Sequence, residues 1–478
     1  MGIPARNDEA VLTIDRLNSE AQGVARRDGF VWFVNGALPG ESVRARVIKP
    51  GARSCVARVM ELIEPSPERA DPPCPYYARC GGCSALHMTY AAELNWKTNL
   101  VRDCLQRIGG IESPNVKPAL GMDEPWHYRN KGAFPVTGEA GRPTIGCYAP
   151  RSHEVIDAPN GCLLQKPETN RIIEAVRAWM ISHSIEPYNE SMHSGLIRHI
   201  VTRVNRDSES MLTVVTRSAD ARLPHSDELV KRLREVVPGL RGLSVSPNPE
   251  RGNVIFGDTC QTIWGEPSLT ERLELSVGTL CYDLSPRSFF QVNTAQAERL
   301  VETVLSYATG NGTDHQSILK ETVESARNRP GSADIYCGTG TLTLALAKAG
   351  FETVGVELLP DAVSDARRNA SANGFPDERD VRFERGNAAV VLPTLVKTQG
   401  QFDVIVLDPP RKGCDKTVLE SAALTHPSRL VYVSCDPATL ARDAAVLAGL
   451  GYRLIEAQPI DQFCWTASIE TVALFTPK

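Results

Sequence analysis

The chain has 478 residues, more than one hydrophobic core ordinarily serves, so about two or three domains are expected. With 42% hydrophobic and 23% charged residues it reads as globular, which excludes a disordered or fibrous chain. The net charge of −5 excludes a generally basic surface, so any nucleic-acid contact must come from a local patch.

The first residues, MGIPARNDEAV, contain no apolar h-region, and no later stretch approaches the roughly 20 apolar residues of a membrane span. A soluble, cytoplasmic, monomeric protein is expected, with no membrane association. Its thirteen cysteines then read as reduced thiols, ligands or nucleophiles rather than disulfides. Residues 9–64 read as short strands. Val43-Arg44-Ala45-Arg46-Val47 alternates with period two, so the two arginines share one face opposite the valines. Across residues 21–58, Arg26, Arg27, Arg44, Arg46, Lys49, Arg53 and Arg58 outnumber Asp28 and Glu41. A small OB-like β-barrel with a basic face over residues 1–66 fits, and such barrels commonly bind nucleic acid. A merely solvated face fits equally well.

A Pro-rich, charged linker at 65–73 leads into Cys74, Cys80, Gly81, Gly82 and Cys83. Three thiols in so short a loop suggest a four-thiolate site completed by Cys104, Cys147 or Cys162. Zinc and an iron–sulfur cluster both suit four thiolates; the residues alone favour zinc, with free thiols as the plainer alternative. A helix is expected at 94–108, then a mixed α+β stretch to about 286 with basic strands in WHYRNKGAFPV and LIRHIVTRVN, then a helix at 296–308. Residues 309–332 are polar at both ends and read as an inserted surface connection. From Ala333 onward apolar strands alternate with helical patterns, which predicts an open, mainly parallel sheet of Rossmann-like α/β type. The whole divides into 1–66, 67–290 and 291–478.

Asp334-Ile335-Tyr336-Cys337-Gly338-Thr339-Gly340-Thr341 follows the first of these strands and opens a helix. Glu357 closes the next strand, placed to accept hydrogen bonds from ribose hydroxyls. The third glycine of a dinucleotide fingerprint is absent, and no phosphate-binding lysine follows. S-adenosylmethionine, which needs no pyrophosphate cradle, therefore fits better than a nicotinamide dinucleotide, and an oxidoreductase is the disfavoured alternative. Asp408-Pro409-Pro410-Arg411 ends another apolar run. Cys435 ends the next, directly before a helix whose N-terminus is expected to favour its thiolate. Such a thiolate suits methylation at carbon 5 of uracil. Carbon 5 is a poor nucleophile until a thiolate adds at carbon 6 and forms an enolate. A base must later take the carbon-5 proton, and Glu470 is the candidate. A base held in folded RNA must be flipped out to reach such a site.

These segments, with Phe290-Gln291-Val292-Asn293, Gly355-Val356-Glu357, DPPRKG and VSCDPATLARD, resemble the RNA uracil-5 methyltransferase family, and most closely its 23S ribosomal RNA members. The resemblance runs from the N-terminal barrel, similar to a TRAM domain, to the last strand. It implies a class I S-adenosylmethionine-dependent methyltransferase with Cys435 as nucleophile and Glu470 as base. It also implies that Gln291, Tyr336, Thr341, Glu357, Asn387 and Asp408 line the cofactor site. Phe289 or Phe290 is placed near the flipped uracil, and Arg129 or Lys131 near RNA. It implies a 4Fe–4S cluster on Cys74, Cys80, Cys83 and Cys162, structural or RNA-positioning in role, with zinc as the alternative. Barrel and cluster together point to 23S rRNA, with tRNA as the alternative substrate. In one departure, the family's Phe-Pro-His-Thr-x-His run before the glutamate is here Phe463-Cys464-Trp465-Thr466-Ala467-Ser468. That change keeps a non-catalytic RNA-binding or assembly factor open as a different class of function.

Overall fold

The computed structural model describes residues 4–310, 329–377, 379–399 and 401–478. Most of the expected insertion at 309–332 thus lies outside the described residues.

Strands β1 (Glu9–Thr13), β2 (Arg16–Leu17), β3 (Gly23–Arg27), β4 (Phe30–Asn35), β5 (Ser42–Lys49) and β6 (Ser54–Glu64) form a six-stranded sheet in the order β1-β5-β6-β4-β3-β2. Alternation does what the sequence implies: Val43, Ala45 and Val47 are buried with Leu12, Trp32 and Ala57, while Arg44 and Arg46 point away. The basic face is nevertheless less basic than its own segment indicates. Arg46 pairs with Glu9 of β1 at 2.6 Å and Arg44 with Glu61 of β6 at 2.9 Å. Both acids lie outside the window that showed the surplus, and strand pairing brings them onto the same face.

Helix α1 (Tyr90–Arg107) starts where the Thr89 side chain accepts a hydrogen bond from the Ala92 amide. It packs not on the middle of the chain but on the C-terminal core, through Val101 and Leu105. The central sheet contains β7 (Lys131–Glu139), β8 (Arg142–Tyr148), β9 (Val155–Asp157), β10 (Ile197–Val204), β11 (Ser210–Thr216), β12 (Leu240–Pro247) and β13 (Gln261–Gly265). Their order is β13-β12-β11-β10-β7-β8-β9, and α2 (Pro167–Ser182) and α3 (Ser226–Val236) pack together against it around Trp179 and Leu229. A hairpin, β14 (Leu269–Leu275) with β15 (Gly278–Leu284), then sends Leu273, Leu280 and Tyr282 into the C-terminal core.

That C-terminal unit opens with α4 (Thr294–Thr309), capped by the Asn293 side chain. It continues as β16 (Gly331–Ile335), α5 (Thr341–Lys348), β17 (Glu352–Glu357), α6 (Pro360–Ala372), β18 (Val381–Arg385) and α7 (Ala388–Gln399). The last elements are β19 (Val404–Leu407), α8 (Lys416–Leu424), β20 (Arg429–Ser434), α9 (Pro437–Gly449), β21 (Tyr452–Ile460) and β22 (Glu470–Pro477). The sheet order is β18-β17-β16-β19-β20-β22-β21; the first five strands are parallel and β22 runs antiparallel between β20 and β21. Strand order reverses between β16 and β19, the switch point at which open α/β sheets bind ligands beyond their carboxyl ends.

Candidate active site

The loop after β16 is bent for close approach. Tyr336, Gly338 and Gly340 have φ of 72°, 54° and 88°, a left-handed run that glycine tolerates and tyrosine does not favour. A Cβ on Gly338 would meet nothing within 4 Å, so the loop faces open space. Glu357 locks the next strand end to it: one carboxylate oxygen accepts from the Gly338 amide at 3.1 Å, the other from the Leu359 amide at 2.8 Å. Beneath the loop, buried Asp334 accepts from the Thr343 hydroxyl at 2.6 Å, and its other oxygen has no partner. Burial pushes that carboxyl up to about 7. Asp408, whose amide donates to the Ile335 carbonyl at 3.1 Å, is likewise pushed up to about 7 by burial and then by Asp334.

Asn387 is exposed at the head of α7, its side chain accepting from the Ala389 amide at 3.0 Å. Thr341 is the first residue of α5. Tyr336, Thr341, Glu357, Asn387 and Asp408 therefore crown the carboxyl ends of four adjacent strands. Gln291 stands apart from these strand ends. Its side-chain carbonyl accepts from Gln462 at 3.0 Å, on the connection between β21 and β22.

Cys435 and Glu470 are brought together by register. Ser434 of β20 pairs with Thr471 of β22, so Cys435 and Glu470 are the next facing positions, where Cβ atoms stand roughly 4.5–5.5 Å apart. Arg411 and Asp408 complete the group, since both bear electrostatically on the thiol. The expectation that the helix N-terminus would favour a thiolate is corrected here. Burial first, and the Glu470 carboxylate second, push the Cys435 thiol up to about 11, against a smaller opposite pull from Arg411. The α9 amides of Ala438 and Thr439 are already taken by the Asp436 carboxylate at 2.9 and 3.0 Å. Burial, with Asp408, also holds the Glu470 carboxyl well above the usual range. Burial thus disfavours the charged form of both groups in the free protein. Because the thiol titrates high, alkylation of Cys435 by iodoacetamide should accelerate about tenfold per pH unit from 7 to 10. Mass spectrometry of the Cys435 peptide reads this, and a rate already level at pH 8 would contradict it. Arg411 had drawn no role from the sequence; its only signal was a cation directly after Asp-Pro-Pro at a strand end.

The altered run 463–468 is tightly built. Lys97, fully buried on α1, donates to Asp461 at 2.5 Å and to the Phe463 carbonyl at 3.2 Å, and pairs with Glu93 at 2.7 Å. The Tyr90 hydroxyl donates to the other Asp461 oxygen at 2.8 Å. Trp465, at φ 67°, donates its amide to Glu93 at 2.7 Å and its ring N–H to the Pro125 carbonyl at 2.9 Å, and stacks on Trp126 with centroids 4.8 Å apart. Its carbonyl accepts from the Ser84 and Ala85 amides, just past Cys83. The segment that delivers Glu470 is therefore tied both to α1 and to the cysteine loop. Glu93 and Lys97 are spaced i and i+4 on α1, a pattern that does not by itself reveal their burial.

The cysteine candidates separate. Cys104 sits on α1 against the C-terminal core and feels Asp436, away from the others. Cys74, Cys83 and Cys162 share an apolar cluster with Leu86, Tyr128 and Leu164. Cys83 feels Cys162, Cys80 and Cys74, and burial with these neighbours pushes its thiol up while Arg129 opposes them. Cys147 donates to Cys80, which holds Cys80 down to about 6. Among the described residues no three His, Cys, Asp or Glu side chains form a group that could hold a metal ion. The thiols lie within electrostatic reach of one another, not in contact with a common point.

Of the two aromatics, Phe290 is a core residue packed on Tyr282 with centroids 5.6 Å apart, while Phe289 is 67% exposed. Arg129 lies at the cysteine group. Lys131 is turned inward: its ammonium donates to the Ser288 carbonyl at 3.3 Å and lies over the Phe256 ring, and burial and Arg203 bring it down to about 7.

A doubly wound sheet that reverses at a glycine loop, with an acid closing the next strand and an antiparallel strand set between β20 and β21, fits a class I S-adenosylmethionine-dependent methyltransferase. Comparison with known proteins agrees. Residues 260–478 match the tRNA (uracil-5-)-methyltransferase family and residues 7–59 the TRAM domain. An uncharacterised RNA methyltransferase of Halalkalibacterium halodurans is 40% identical over 474 residues, covering 99% of this chain and 98% of its own. Another, of Clostridium tetani, is 37% identical over 472 residues, covering 98% and 97%. The crystal structure of Pyrococcus abyssi tRNA (uracil-54, C5)-methyltransferase in complex with S-adenosyl-L-homocysteine superposes with a TM-score of 0.73 at 26% identity, covering 98% of this chain and 99% of that one. The chain belongs to this family of S-adenosylmethionine-dependent RNA uracil-5 methyltransferases and carries its TRAM domain. No helix of the described residues is long and apolar enough to cross a membrane.

Proposed function

We propose that the protein methylates carbon 5 of one uridine in RNA through a covalent adduct on Cys435, with Glu470 as the base. The observation that carries this is the pairing of β20 with β22, which sets the thiol opposite the carboxyl at the rim of the glycine-loop cleft. Glu357 would hold the ribose, the loop from Tyr336 to Thr341 and Asn387 would border the adenosyl group, and Gln291 and Asp408 would close the cleft. When bound, S-adenosylmethionine supplies an electrophilic methyl group. Cys435, once deprotonated, adds to carbon 6 and leaves carbon 5 carrying the enolate's electron pair. Carbon 5 takes the methyl group; Glu470, as carboxylate, removes the carbon-5 proton, and the C–S bond breaks. Both groups react in their charged forms, which burial disfavours. Arg411, the cation that bears on both, favours those forms. Exposed Phe289 would stack on the flipped base.

The substrate we propose is 23S rRNA, as the resemblance implies, in a cytoplasmic monomer divided at 1–66, 67–290 and 291–478. The P. abyssi structure favours tRNA as the second reading, since a tRNA enzyme matches the full length of the chain. Labelled S-adenosylmethionine supplied with rRNA and tRNA that lack 5-methyluridine decides. Label in one position of 23S rRNA is expected, and label confined to tRNA overturns that choice.

Cys74, Cys80, Cys83 and Cys162 would hold a 4Fe–4S cluster. Cys74, Cys83 and Cys162 lie in one apolar cluster, Cys80 and Arg129 act electrostatically on Cys83 and Cys162, and soft thiolates suit such a group. Zinc, which also takes four thiolates, is the alternative. The cluster's part is to brace the loop that grips Trp465; no step of methyl transfer uses it. Metal analysis of anaerobically purified protein should find about four irons per chain. One zinc without iron would reverse the assignment.

A further inference from the structure

A cavity of about 530 Å³ opens on the central sheet, and none of Gln291, Tyr336, Glu357, Asp408, Cys435 and Glu470 lines it. Its floor is the part of β7 and β10 around Pro135, Thr137, Arg198 and His199; its walls include Gly82 of the cysteine loop and Tyr148. Lys131, at the opposite end of β7, marks the side that meets the catalytic unit. The lining on β7 runs from Ala133 to Thr137, so at about 3.3 Å per residue it extends from roughly 7 to 20 Å along the strand from Lys131.

Three features distinguish this cavity from a packing gap. Arg198 is only 3% exposed and is clasped by backbone: it donates to the Asn248 and Glu250 carbonyls at 2.6 and 2.5 Å and to the Gly252 carbonyl at 3.2 Å, with its guanidinium 4.7 Å from the Tyr188 ring centroid. Among the described residues no carboxylate pairs with it, and its Nε has no partner. A charged guanidinium so placed has no carboxylate in contact to offset its burial; Glu190, the acid of the same lining, lies instead 3.0 Å from His153 Nδ1. Beside it His199 is neutral, because burial and the Arg198 charge bring it down to about 4, and its Nδ1 is buried without a partner. A neutral imidazole nitrogen suits the edge of an uncharged heterocycle. Finally, the surrounding segments expose apolar surface: Tyr148 is 41%, Met192 72% and Val254 73% exposed.

An anion site, a neutral hydrogen-bonding edge and exposed stacking surface together describe a nucleotide, and the volume falls in the roughly 300–1,000 Å³ range of small-ligand sites. We propose that this cavity binds an unpaired nucleotide of the substrate RNA, other than the uridine that is methylated, and so helps select the RNA. The proposal rests on the reading of the protein as an RNA methyltransferase. It also gives the cysteine loop a second contact, as Gly81 and Gly82 form part of the wall.

The test uses the whole protein and substrate RNA carrying 5-fluorouridine at the target position and 4-thiouridine at other unpaired positions. Fluorine at carbon 5 cannot leave as a proton does, so the Cys435 adduct accumulates and reports the catalytic site independently. Photo-crosslinks from the other positions are expected on the peptides containing Tyr148 or Tyr188. Tyr148→Ala, at the rim where folding is least at risk, should weaken RNA binding about tenfold, the loss of about one stacked base. A full yield of Cys435 adduct with no crosslink on those peptides, and with Tyr148→Ala binding as tightly as wild type, overturns the proposal and leaves the methylation reading standing. Absence of both adduct and crosslink overturns both. Crosslinks that vanish in Arg198→Met, with an unchanged thermal midpoint, support it.

Discussion

Cys435→Ala is expected to lower methyl transfer by on the order of 10⁴–10⁶, because alanine cannot form the adduct that makes carbon 5 nucleophilic. Glu470→Gln should behave differently. Addition and methyl transfer remain, proton removal slows by about 10²–10⁴, and a methylated RNA–protein adduct survives denaturation on a gel. The two variants therefore separate the first half of the reaction from the second. An active Cys435→Ala protein would refute the mechanism; an inactive Glu470→Gln protein with no adduct would assign the base elsewhere. The same glutamine should stabilise the free protein. Burial holds the Glu470 carboxyl protonated in the folded chain far above the pH at which it ionises when unfolded, so folding takes up a proton across that interval. That favourable state is fully populated only at low pH and is lost as pH rises, whereas glutamine takes up no proton. The difference in thermal midpoint between Glu470→Gln and wild type should widen from pH 5 to pH 8.

Lys97→Met is expected to destabilise the chain by about 3–5 kcal/mol, as removing one partner from a buried ionic group does. Glu93 and Asp461 would remain in an apolar interior without their shared cation. Denaturant unfolding measures the loss directly; a change under about 1 kcal/mol would show that the network is solvated. The double variant Glu93→Gln with Lys97→Met should recover part of the loss, since one orphaned charge is then removed.

This network also bears on the unusual run before Glu470. With Pro and both His of the family pattern replaced, the sequence leaves a non-catalytic RNA-binding or assembly factor open. The structure shows the run held from three sides: Lys97 on Asp461 and Phe463, Glu93 and Trp126 on Trp465, and Ser84 and Ala85 on the Trp465 carbonyl. Trp465 fills volume among aromatic rings and keeps the strand start where Glu470 faces Cys435. That supports an active enzyme.

Much of the site was legible because its residues sit where local pattern changes. Tyr336, Glu357, Asp408 and Cys435 each end an apolar strand in an α/β alternation, and in a parallel sheet all such ends share one edge. The thiolate prediction failed because a helix N-terminus is visible in sequence, whereas the buried carboxyls facing it arrive from β19 and β22. Arg44 and Arg46 were placed on the right face, but their partners Glu9 and Glu61 come from other strands.

The sequence by itself therefore determined the α/β catalytic unit, the small β-sheet ahead of it, the thiol and the glycine loop. Each is written in short-range periodicity or in residues adjacent along the chain. Only the tertiary structure decided what neutralises what: which charges are paired, that Lys97 is buried, that Phe290 is core and Phe289 is not, that Cys104 stands apart, and that a cavity lies beneath Tyr148. Protonation and burial depend on groups tens to hundreds of residues apart, such as Lys97 and Asp461, which meet only once the chain has folded.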